Sequence, residues 1–456
     1  MVCMKHVGLN VAADGFVNAA ITGVGGGLVV AVADDPSMHS SQNEQDSRFY
    51  AQFAQIPSFE PSSQQEAYDM AFAAMDLSEE LRTPVLIRLT TRLSHSRANI
   101  TRAEVRPENE VCLPADPRRF VLLPSIAKTN FDGLVARQPQ FVARSEASSF
   151  NSLADGPDHS LGILATGIAY NYVMENFGEN GCPYPVLKVS QYPLPVKQIR
   201  QLLETCDRVL LAEEGAPFVE AQLHGPLGLN DKIIGRMTGA LPRTGELNPR
   251  LVAKAMGLET TTAAPLSELA RPRPPRLCAG CSHIDSYHAL NEVMAEVGKG
   301  RVFSDIGCYT LGALPPFEAI SSCVDMGASI SMAKGAADAG LGPSVAVIGD
   351  STFTHSGMTP LLDCVWENSN VTVFLLDNGT TGMTGGQDSL GTGRMAEICE
   401  GIGVPKELIR EFVPLKKNHA ENVRILREEI IEYQGLSVVI AFRECVQTLR
   451  RKKKKS

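Results

Sequence analysis

The sequence predicts an α/β protein made of successive parallel-sheet domains, with a middle α/β domain between the first and the last. Apolar runs that are nearly continuous, such as Val371 to Leu376, alternate with helical segments along most of the chain. Continuous apolar strands are typical of parallel sheets that helices cover on both faces. No repeat of solenoid length is present, so the strand and helix units indicate sheets in series.

The first predicted domain, residues 1–105, has a strand, helix, strand pattern. A buried strand is predicted over Gly27 to Asp34, a helix over Gln64 to Leu81 and a further strand over Pro84 to Thr90. Residues Met4 to Asn10 have the pattern of a strand end and its loop. These patterns predict a small parallel sheet whose first strand lies at the very start of the chain.

A connection and a second α/β pattern follow the first domain. Five prolines interrupt residues 106–150, and we interpret this segment as a connection because proline ends regular elements. Residues 151–262 alternate strand and helix patterns again and predict the middle domain. Its elements are strands at Leu161 to Ala165, Val186 to Val189 and Arg208 to Ala212, with helices after Gly167 and after Pro195.

The last third of the chain contains a linker, a domain and a short tail. Residues 263–276 belong to a stretch rich in Thr, Ala and Pro, a composition typical of linkers. Residues 277–448 predict the last α/β domain, and 449–456 form a basic tail that we interpret as solvated. The predicted elements of the last domain are a strand at Arg301 to Ile306, helices at Met326 to Ala339 and Ala420 to Tyr433, and a strand at Ser437 to Ala441.

Composition excludes several classes of function. The chain has 456 residues, 44% hydrophobic and 20% charged, with a net charge of -9, which argues against general nucleic-acid binding. No apolar run reaches the roughly 18 residues of a membrane span, and the start lacks the pattern of a secretion signal, so we expect a cytoplasmic protein. Eleven cysteines in a chain this long are too sparse for a disulfide scaffold and indicate buried thiols or metal ligands.

The stretch from Ser344 to Gln387 has the pattern of a site for a metal ion and a diphosphate. Two predicted strands end in Gly349-Asp350 and Asp377-Asn378, and open α/β sheets bind ligands at the carboxyl ends of their strands. An Asp carboxylate, an Asn carbonyl and the backbone oxygen of Thr380 suit Mg²⁺, which takes oxygen ligands. A helix after Ser356 would present its amino end to the anion. The alternative is a strand-end Asp and an ordinary Asn-Gly turn.

Three cysteines near the start of the last domain form a second candidate site. Cys278 and Cys281 are a C-x-x-C pair, and Cys308 follows in a Gly-Cys. Such a set ligates zinc or an iron-sulfur cluster, or acts as a redox dithiol, and the fourth ligand would be His283 or Cys445. The alternative is a group of buried, unliganded thiols. Cys206, Cys364 and Cys399 lie in predicted helices and are interpreted as core residues.

Together, these motifs carry a family resemblance. The segments GDSTFTHSGM and DNGTTGMTGGQ, preceded by CAGCSH and DIGCYTLG, resemble the thiamine-diphosphate domain of the 2-oxoacid:ferredoxin oxidoreductases. MKHVGLNVAAD, VADDPSMHSSQNEQDSR and FRECVQTLRRKKK resemble one branch of that family, the large subunits that act on indolepyruvate. The resemblance covers the whole chain and implies a partial pyrimidine-binding domain, a middle domain like the C-terminal domain of transketolase, and a diphosphate-binding domain.

The resemblance implies roles for particular residues. Asp350, Asn378 and the backbone oxygen of Thr380 would bind Mg²⁺, and the segment Gly382 to Gln387 would border the thiazolium ring. Lys5 and His6 would be catalytic residues that face the cofactor from the first domain. The implied cofactor-binding residues are Gly349, Asp350, Ser351, His355, Asn378, Thr380, Gly382, Met383, Thr384 and Gln387, and the implied ligands of a [4Fe-4S] cluster are Cys278, Cys281, Cys308 and Cys445.

Substrate and partners also follow from the resemblance. Met383 stands where pyruvate-oxidising relatives have Asn, and an apolar residue there suits an aryl 2-oxoacid. The implied reaction is oxidative decarboxylation to an acyl-coenzyme A, with electrons passed to ferredoxin. A small (beta) subunit, coenzyme A and a dimer of heterodimers are the implied partners and assembly, without nucleic acid or membrane.

Two departures from the family pattern leave alternatives open. The chain begins after the family's Glu that activates the aminopyrimidine, and it ends before the family's ferredoxin-like domain, so we expect a fragment or a split gene product. Reduced turnover of the isolated chain would follow, because proton removal needs a positioned group of suitable pKa. The alternatives are a thiamine-dependent non-oxidative decarboxylase and a non-catalytic remnant that binds metal and diphosphate or merely dimerises.

Overall fold

The fold is described by a computed structural model that covers residues 1–110, 112–178, 181–260, 267–271 and 274–455. The chain divides into two compact units, Met1–Ala264 and Pro265–Ser456. Both units contain parallel sheets, which confirms the predicted α/β class. Part of the predicted linker, 263–276, lies outside the described residues, and its bounds and those of the predicted domains stay predictions.

Ten strands form two sheets in the described part of the first unit. They are β1 Val2–Lys5, β2 Val29–Asp34, β3 Ser58–Phe59, β4 Val85–Thr90, β5 Ser152–Ala154, β6 Gly162–Thr166, β7 Val186–Val189, β8 Gln191–Tyr192, β9 Val209–Ala212 and β10 Ile233–Ile234. One sheet has the order β1-β2-β4-β3-β8 and the other β10-β9-β6-β7-β5. Only β8 and β5 run antiparallel to their neighbours in these two sheets.

Helices cover both sheets of this unit. They are α1 His6–Val11, α2 Ala13–Thr22, α3 Ser47–Phe53, α4 Gln64–Leu81, α5 Thr91–His95, α6 Pro124–Ala136, α7 Gln138–Glu146, α8 Ala169–Met174, α9 Val196–Thr205, α10 Phe218–His224 and α11 Pro249–Ala255. The helix predicted over Gln64 to Leu81 is confirmed with the same bounds. Ser63 caps it by accepting a hydrogen bond from the N–H of Glu66, as short polar residues do at helix starts.

Two parts of the first unit differ from the sequence prediction. The residues after β1 form α1 rather than a loop, because Leu9 packs into the apolar core and holds the short helix. The segment 106–150 contains α6 and α7 rather than irregular structure alone. Pro124 and Pro139 lie in the first turns of these helices, where proline is tolerated because the missing N–H would have no helical partner.

A buried ionic network joins the two sheets of the first unit. Arg48, 1% exposed, donates to Asp46 (Nε to Oδ1, 2.9 Å) and to Glu213, which follows β9 (Nη1 to Oε2, 2.8 Å). Arg88 on β4 donates to Asp34 at 2.6 Å and also binds Glu60. Burial lowers the pKa of Arg48, but the carboxylates around it outweigh burial and raise that pKa overall. The network therefore depends on mutual pairing of charges that water cannot reach.

The described part of the second unit has eight strands. They are β11 Val302–Ser304, β12 Ser322–Cys323, β13 Ser344–Gly349, β14 Val371–Asp377, β15 Thr380–Thr381, β16 Gln387–Asp388, β17 Ile409–Phe412 and β18 Ser437–Phe442. Six of them form a fully parallel sheet of order β12-β11-β13-β14-β18-β17, and β15 pairs with β16 in an antiparallel hairpin. Every residue of β13 and β14 is buried.

Helices pack on the parallel sheet of the second unit and complete its two apolar cores. They are α12 Ser282–Met294, α13 Ala328–Asp338, α14 Asp350–Thr352, α15 Met358–Glu367, α16 Met395–Ile402, α17 His419–Arg427 and α18 Val446–Lys455. The prediction that Cys364 and Cys399 are core residues is confirmed, since both thiols are buried. Cys206, also predicted to be a core residue, is buried at the end of α9 in the first unit. The basic tail is helical, as part of α18, and residues 449–454 are exposed, in agreement with the predicted solvated tail; Arg451 of this helix contacts Gly385.

Among the described residues, none of the helices has the length and apolar character needed to cross a membrane.

Candidate functional site

The carboxyl ends of β13 and β14 bring two carboxylates together. Gly349 and Leu376 are register partners on these neighbouring parallel strands, so Asp350 and Asp377 follow side by side. Asp350 is 3% exposed, and its Oδ2 has no hydrogen-bond partner in the described structure. Burial, and after it the charge of Asp377, raises the pKa of Asp350 to about 7. A carboxylate in this position is costly unless a cation joins it.

The donor set around Asp350 fits Mg²⁺. One unpartnered carboxylate oxygen, a nearby Asn amide and a backbone carbonyl are hard oxygen donors of the kind that Mg²⁺ prefers, with waters or phosphates completing its shell. Among the described residues, no group of three or more His, Cys, Asp or Glu side chains is arranged to hold a metal ion. A magnesium site here would therefore use mixed donors, with Asp350 as its charged ligand.

Asn378 is held by two hydrogen bonds at the start of the loop after β14. Its Oδ1 accepts from the N–H of Thr380 at 3.1 Å, and its Nδ2 lies 3.2 Å from Nε2 of His283. Burial, and after it the charge of Arg443, lowers the pKa of His283 to about 4, so the neutral ring accepts from the amide. His283 thus orients Asn378, a role different from the zinc ligation considered from the sequence.

The hairpin formed by β15 and β16 carries most of the remaining predicted residues. Thr380 donates from Oγ1 to the backbone oxygen of Gln387 at 2.9 Å, and Thr384 donates from Oγ1 to the Gln387 side chain at 2.7 Å. Ser351 Oγ lies 2.8 Å from Thr381 Oγ1, so the hairpin is tied to the residue after Asp350. Gly382, Met383, Thr384 and Gln387 are exposed on this hairpin.

The helical run after β13 begins earlier than predicted. It starts at Asp350 itself in α14, continues through a π-helical turn over Phe353–Gly357, and becomes α15, whereas the sequence predicted a helix only after Ser356. Such π-helical turns are frequent at functional sites. The free N–H groups of the first helical turn therefore lie directly after Gly349, where they can donate hydrogen bonds to a bound anion. His355 is exposed in this turn.

Packing explains why residue 349, an implied cofactor-binding residue, is glycine. A Cβ built on Gly349 would lie 2.4 Å from Cε1 of Tyr309, so only glycine fits beside that ring. The Tyr309 hydroxyl donates to Thr352 Oγ1 at 3.2 Å. Tyr309 thus connects the segment containing Cys308 to the start of the helical run.

Asp305 and Gly327 support the site and were missed by sequence reasoning. Asp305 Oδ1 accepts from the N–H groups of Gly327 (2.7 Å) and Ser329 (3.0 Å), which fixes the start of α13. Gly327 has φ 104°, and a Cβ there would lie 2.0 Å from Ser356 Oγ. The signal in the sequence was the Asp-Ile-Gly-Cys stretch, whose acidic residue follows β11 at the same sheet edge.

The four predicted cluster ligands act on one another electrostatically, but among the described residues they are not arranged as a metal site, since no group of three or more His, Cys, Asp or Glu side chains could hold a metal ion. Burial raises the pKa of Cys281 and raises that of Cys308 to about 11, and in both cases the neighbouring thiols add to the effect of burial. The N–H of Cys281 donates to the backbone oxygen of Cys278 at 2.9 Å, and Cys445 donates from its N–H to Asn378. A Cβ on Gly382 would lie 3.2 Å from Cys308 Sγ, so the thiols adjoin the hairpin.

Lys5 and His6 lie in the first unit, at the carboxyl end of β1. Lys5 Nζ donates to Ser41 Oγ at 2.6 Å, and Ser41 in turn donates to Asp35. His6 is fully buried; its Nδ1 lies 3.4 Å from the backbone oxygen of Ala33, and its Nε2 has no hydrogen-bond partner in the described structure. The His6 ring therefore retains an unused polar atom at the ligand-binding edge of its sheet.

The second unit belongs by sequence to the thiamine-diphosphate enzymes. The family described as thiamine pyrophosphate enzyme, C-terminal TPP binding domain, matches residues 305–437. This range begins at Asp305 and includes Asp350, Asn378 and the hairpin, so it coincides with the site at the carboxyl edge of the parallel sheet. The thiamine-diphosphate part of the sequence resemblance is thus confirmed.

Curated relatives identify the family more closely. The indolepyruvate oxidoreductase subunit IorA of Archaeoglobus fulgidus is 38% identical over 474 residues, covering 98% of this chain and 74% of the relative. The subunit of the same name from Methanothermobacter thermautotrophicus is 38% identical over 469 residues, covering 97% of this chain and 75% of the relative. The chain belongs to the family of indolepyruvate oxidoreductase IorA subunits, which confirms the family resemblance.

A solved structure is a more distant likeness. The 2-oxoglutarate:ferredoxin oxidoreductase from Magnetococcus marinus is 21% identical, with a TM-score of 0.32, covering 39% of this chain and 66% of that chain.

Proposed function

We propose that this chain is the large subunit of a thiamine-diphosphate-dependent oxidoreductase that decarboxylates aryl 2-oxoacids, indolepyruvate in particular, to acyl-coenzyme A and passes electrons to ferredoxin. The observation that carries the proposal is the buried Asp350 carboxylate with its unpartnered Oδ2, at a strand end beside Asn378. The names of the IorA relatives support the substrate class.

Three groups of this chain would hold the magnesium ion: the side chains of Asp350 and Asn378 and the backbone oxygen of Thr380. Thiamine diphosphate, when bound, supplies the electron sink for 2-oxoacid decarboxylation. The chain's own part is to position it: the N–H groups after Gly349 favour a diphosphate, and His283 keeps the Asn378 oxygen turned away from its own ring. Gly349, Ser351 and His355 are proposed as further cofactor contacts.

The hairpin would border the reacting end of the cofactor through Gly382, Met383, Thr384 and Gln387. Met383 is 63% exposed, so its thioether is accessible to a ligand. An exposed, flexible thioether suits the flat apolar face of an aryl group. This observation supports an aryl 2-oxoacid over a small one such as pyruvate.

Cys278, Cys281, Cys308 and Cys445 are proposed as ligands of a [4Fe-4S] cluster. The proximity of the thiols supports this proposal, because Cys278, Cys281 and Cys445 act electrostatically on Cys308 and add to the effect of burial on its pKa. Iron and sulfide analysis of anaerobically purified protein tests it. About four irons per chain, lost in Cys281→Ser but not in Cys399→Ser, is the expected result; colourless, iron-free protein would overturn the assignment.

Lys5 and His6 are proposed as catalytic residues from the first unit. The support is the buried, unpartnered Nε2 of His6, which is available to hold or transfer a proton. The small (beta) subunit, ferredoxin and coenzyme A are proposed partners, in a dimer of heterodimers. Light scattering of the co-expressed subunits gives the mass of the assembly, and a mass other than twice the heterodimer would contradict that stoichiometry.

Titration calorimetry tests the cofactor proposal directly. Thiamine diphosphate with Mg²⁺ should release heat on binding to the wild-type chain and not to Asp350→Ala, while Asp363→Ala, which removes an exposed carboxylate on α15, should bind normally. No heat at millimolar cofactor would favour a non-catalytic remnant.

Product analysis then separates the two catalytic alternatives. With small subunit, indolepyruvate, coenzyme A and a viologen dye, an acyl-coenzyme A product with reduced dye supports the oxidoreductase. An aldehyde product without dye reduction would instead identify a non-oxidative decarboxylase.

A further inference from the structure

The C-terminal helix α18 contacts the cofactor hairpin through Arg451. Nη1 of Arg451 donates to the backbone oxygen of Gly385 at 2.7 Å. A Cβ built on Gly386 would lie 2.6 Å from the same nitrogen, so the guanidinium occupies the space beside the glycine pair. The contact lies at the Gly385-Gly386 turn, inside the segment that the resemblance assigns to the thiazolium ring, whereas the resemblance implies no role for Arg451.

The hairpin is short, and two glycines form its turn. Its two strands are two residues each, and such a ribbon is marginally stable alone. Gly385 and Gly386 have φ values of 131° and 87°, conformations that glycine adopts freely and therefore also leaves freely. A contact from outside the hairpin would therefore favour one conformation of the Gly385-Gly386 turn.

Helix α18 is itself anchored beside the predicted metal site. The N–H of Cys445, just before the helix, donates to the backbone oxygen of Asn378 at 3.0 Å, and the N–H of Leu449 donates to Cys445. Lys452 pairs with Glu444 at 2.6 Å. The segment from Cys445 to Arg451 therefore spans the hairpin, with one end fixed at Asn378 and the other at Gly385.

We propose that Arg451 is a positioning residue that clasps the hairpin in the conformation needed to bind thiamine diphosphate. The inference rests on the proposed function for its ligand, but the clasp itself is a property of the ligand-free chain. With the clasp, the hairpin is ordered before the cofactor binds, so less conformational entropy is lost on binding. Without it, the backbone oxygen of Thr380 and the exposed residues of the hairpin must be ordered by the cofactor itself.

Two measurements on the full chain test the clasp, with Arg450→Ala as the matched control. Arg450 lies next to Arg451 on the same helix and is exposed, so its substitution removes the same charge without the Gly385 contact. In hydrogen exchange of ligand-free protein, the peptide over 380–388 should exchange faster in Arg451→Ala than in the wild type or Arg450→Ala. In calorimetry, Arg451→Ala should bind thiamine diphosphate with Mg²⁺ about five- to tenfold more weakly, the scale of one lost hydrogen bond at an exposed site.

The outcomes separate this inference from the proposed function. Equal exchange of the hairpin in Arg451→Ala and Arg450→Ala overturns the clasp, whatever the affinities. Faster exchange with unchanged cofactor affinity overturns the positioning role. If the wild-type chain binds no thiamine diphosphate, the proposed function fails, and the role assigned to Arg451 in binding fails with it, while the exchange data still report whether the contact exists. Arg451→Lys should recover part of both effects, since it restores a donor of the same charge.

Discussion

Replacing Asp350 by Asn should stabilise the cofactor-free protein while it removes the metal site. Raising a carboxyl pKa from 3.8 to about 7 corresponds to roughly 4 kcal/mol favouring the protonated form. Because the folded-state pKa is above the unfolded value, this stability is fully present below about pH 4 and is lost as pH rises through about 7. Asn is neutral at every pH, so the variant should escape that loss.

Thermal unfolding at pH 5 and pH 8 measures this effect in the absence of Mg²⁺ and cofactor. If only about a quarter of the 4 kcal/mol is realised, Asp350→Asn should melt about 2–4 °C higher than wild type at pH 8 and close to it at pH 5. In calorimetry, wild-type affinity for Mg²⁺ and thiamine diphosphate should increase from pH 6 to pH 8, as Asp350 loses its proton, and the variant should bind poorly at both. A variant that melts lower than wild type at pH 8 would refute the reasoning, as would unimpaired cofactor binding.

Two further predictions concern His283, beside Asn378, and Arg48, in the buried ionic network of the first unit. His283→Ala should weaken thiamine diphosphate binding, because Asn378 loses the acceptor that orients its amide, and His283→Gln should restore part of it; equal affinities in calorimetry would show that the orientation is unimportant. Arg48→Leu should destabilise the protein by about 3–5 kcal/mol, because it leaves the buried Glu213 carboxylate unpaired. Arg424→Leu, which removes two surface ion pairs, with Glu421 and Glu428, should cost no more than about 1 kcal/mol. Similar melting temperatures for Arg48→Leu and Arg424→Leu would contradict this.

The parts of the fold that the sequence predicted well are those with a strong local pattern. The continuous apolar runs of β13 and β14 gave both strands and their parallel pairing, since full burial on two faces leaves a simple signature. Helix α4 was predicted with its observed bounds, because Ser63 marks its start and its apolar residues follow helical spacing. The positions of Asp350 and Asn378 at neighbouring strand ends followed from the same reasoning.

The parts that could not be predicted depend on contacts between distant residues. Nothing near His283 in sequence indicates that it faces Asn378, 95 positions later, and nothing near Arg451 indicates Gly385. The short helix α1 was missed because tertiary packing of Leu9, rather than local propensity, holds it. The four cysteines could be listed from spacing, but their mutual proximity is a property of the folded unit.

The ionic network around Arg48 makes the two sheets of the first unit mutually dependent. A piece of this protein ending at residue 150 would retain Arg48 yet lack Glu213, and it would also lack β8, the strand that covers β3. Such a piece would combine an uncompensated buried charge with an open sheet edge, the two features most apt to cause aggregation. Engineering of this subunit by exchange of modules between relatives should therefore move residues 1 to 260 as one block.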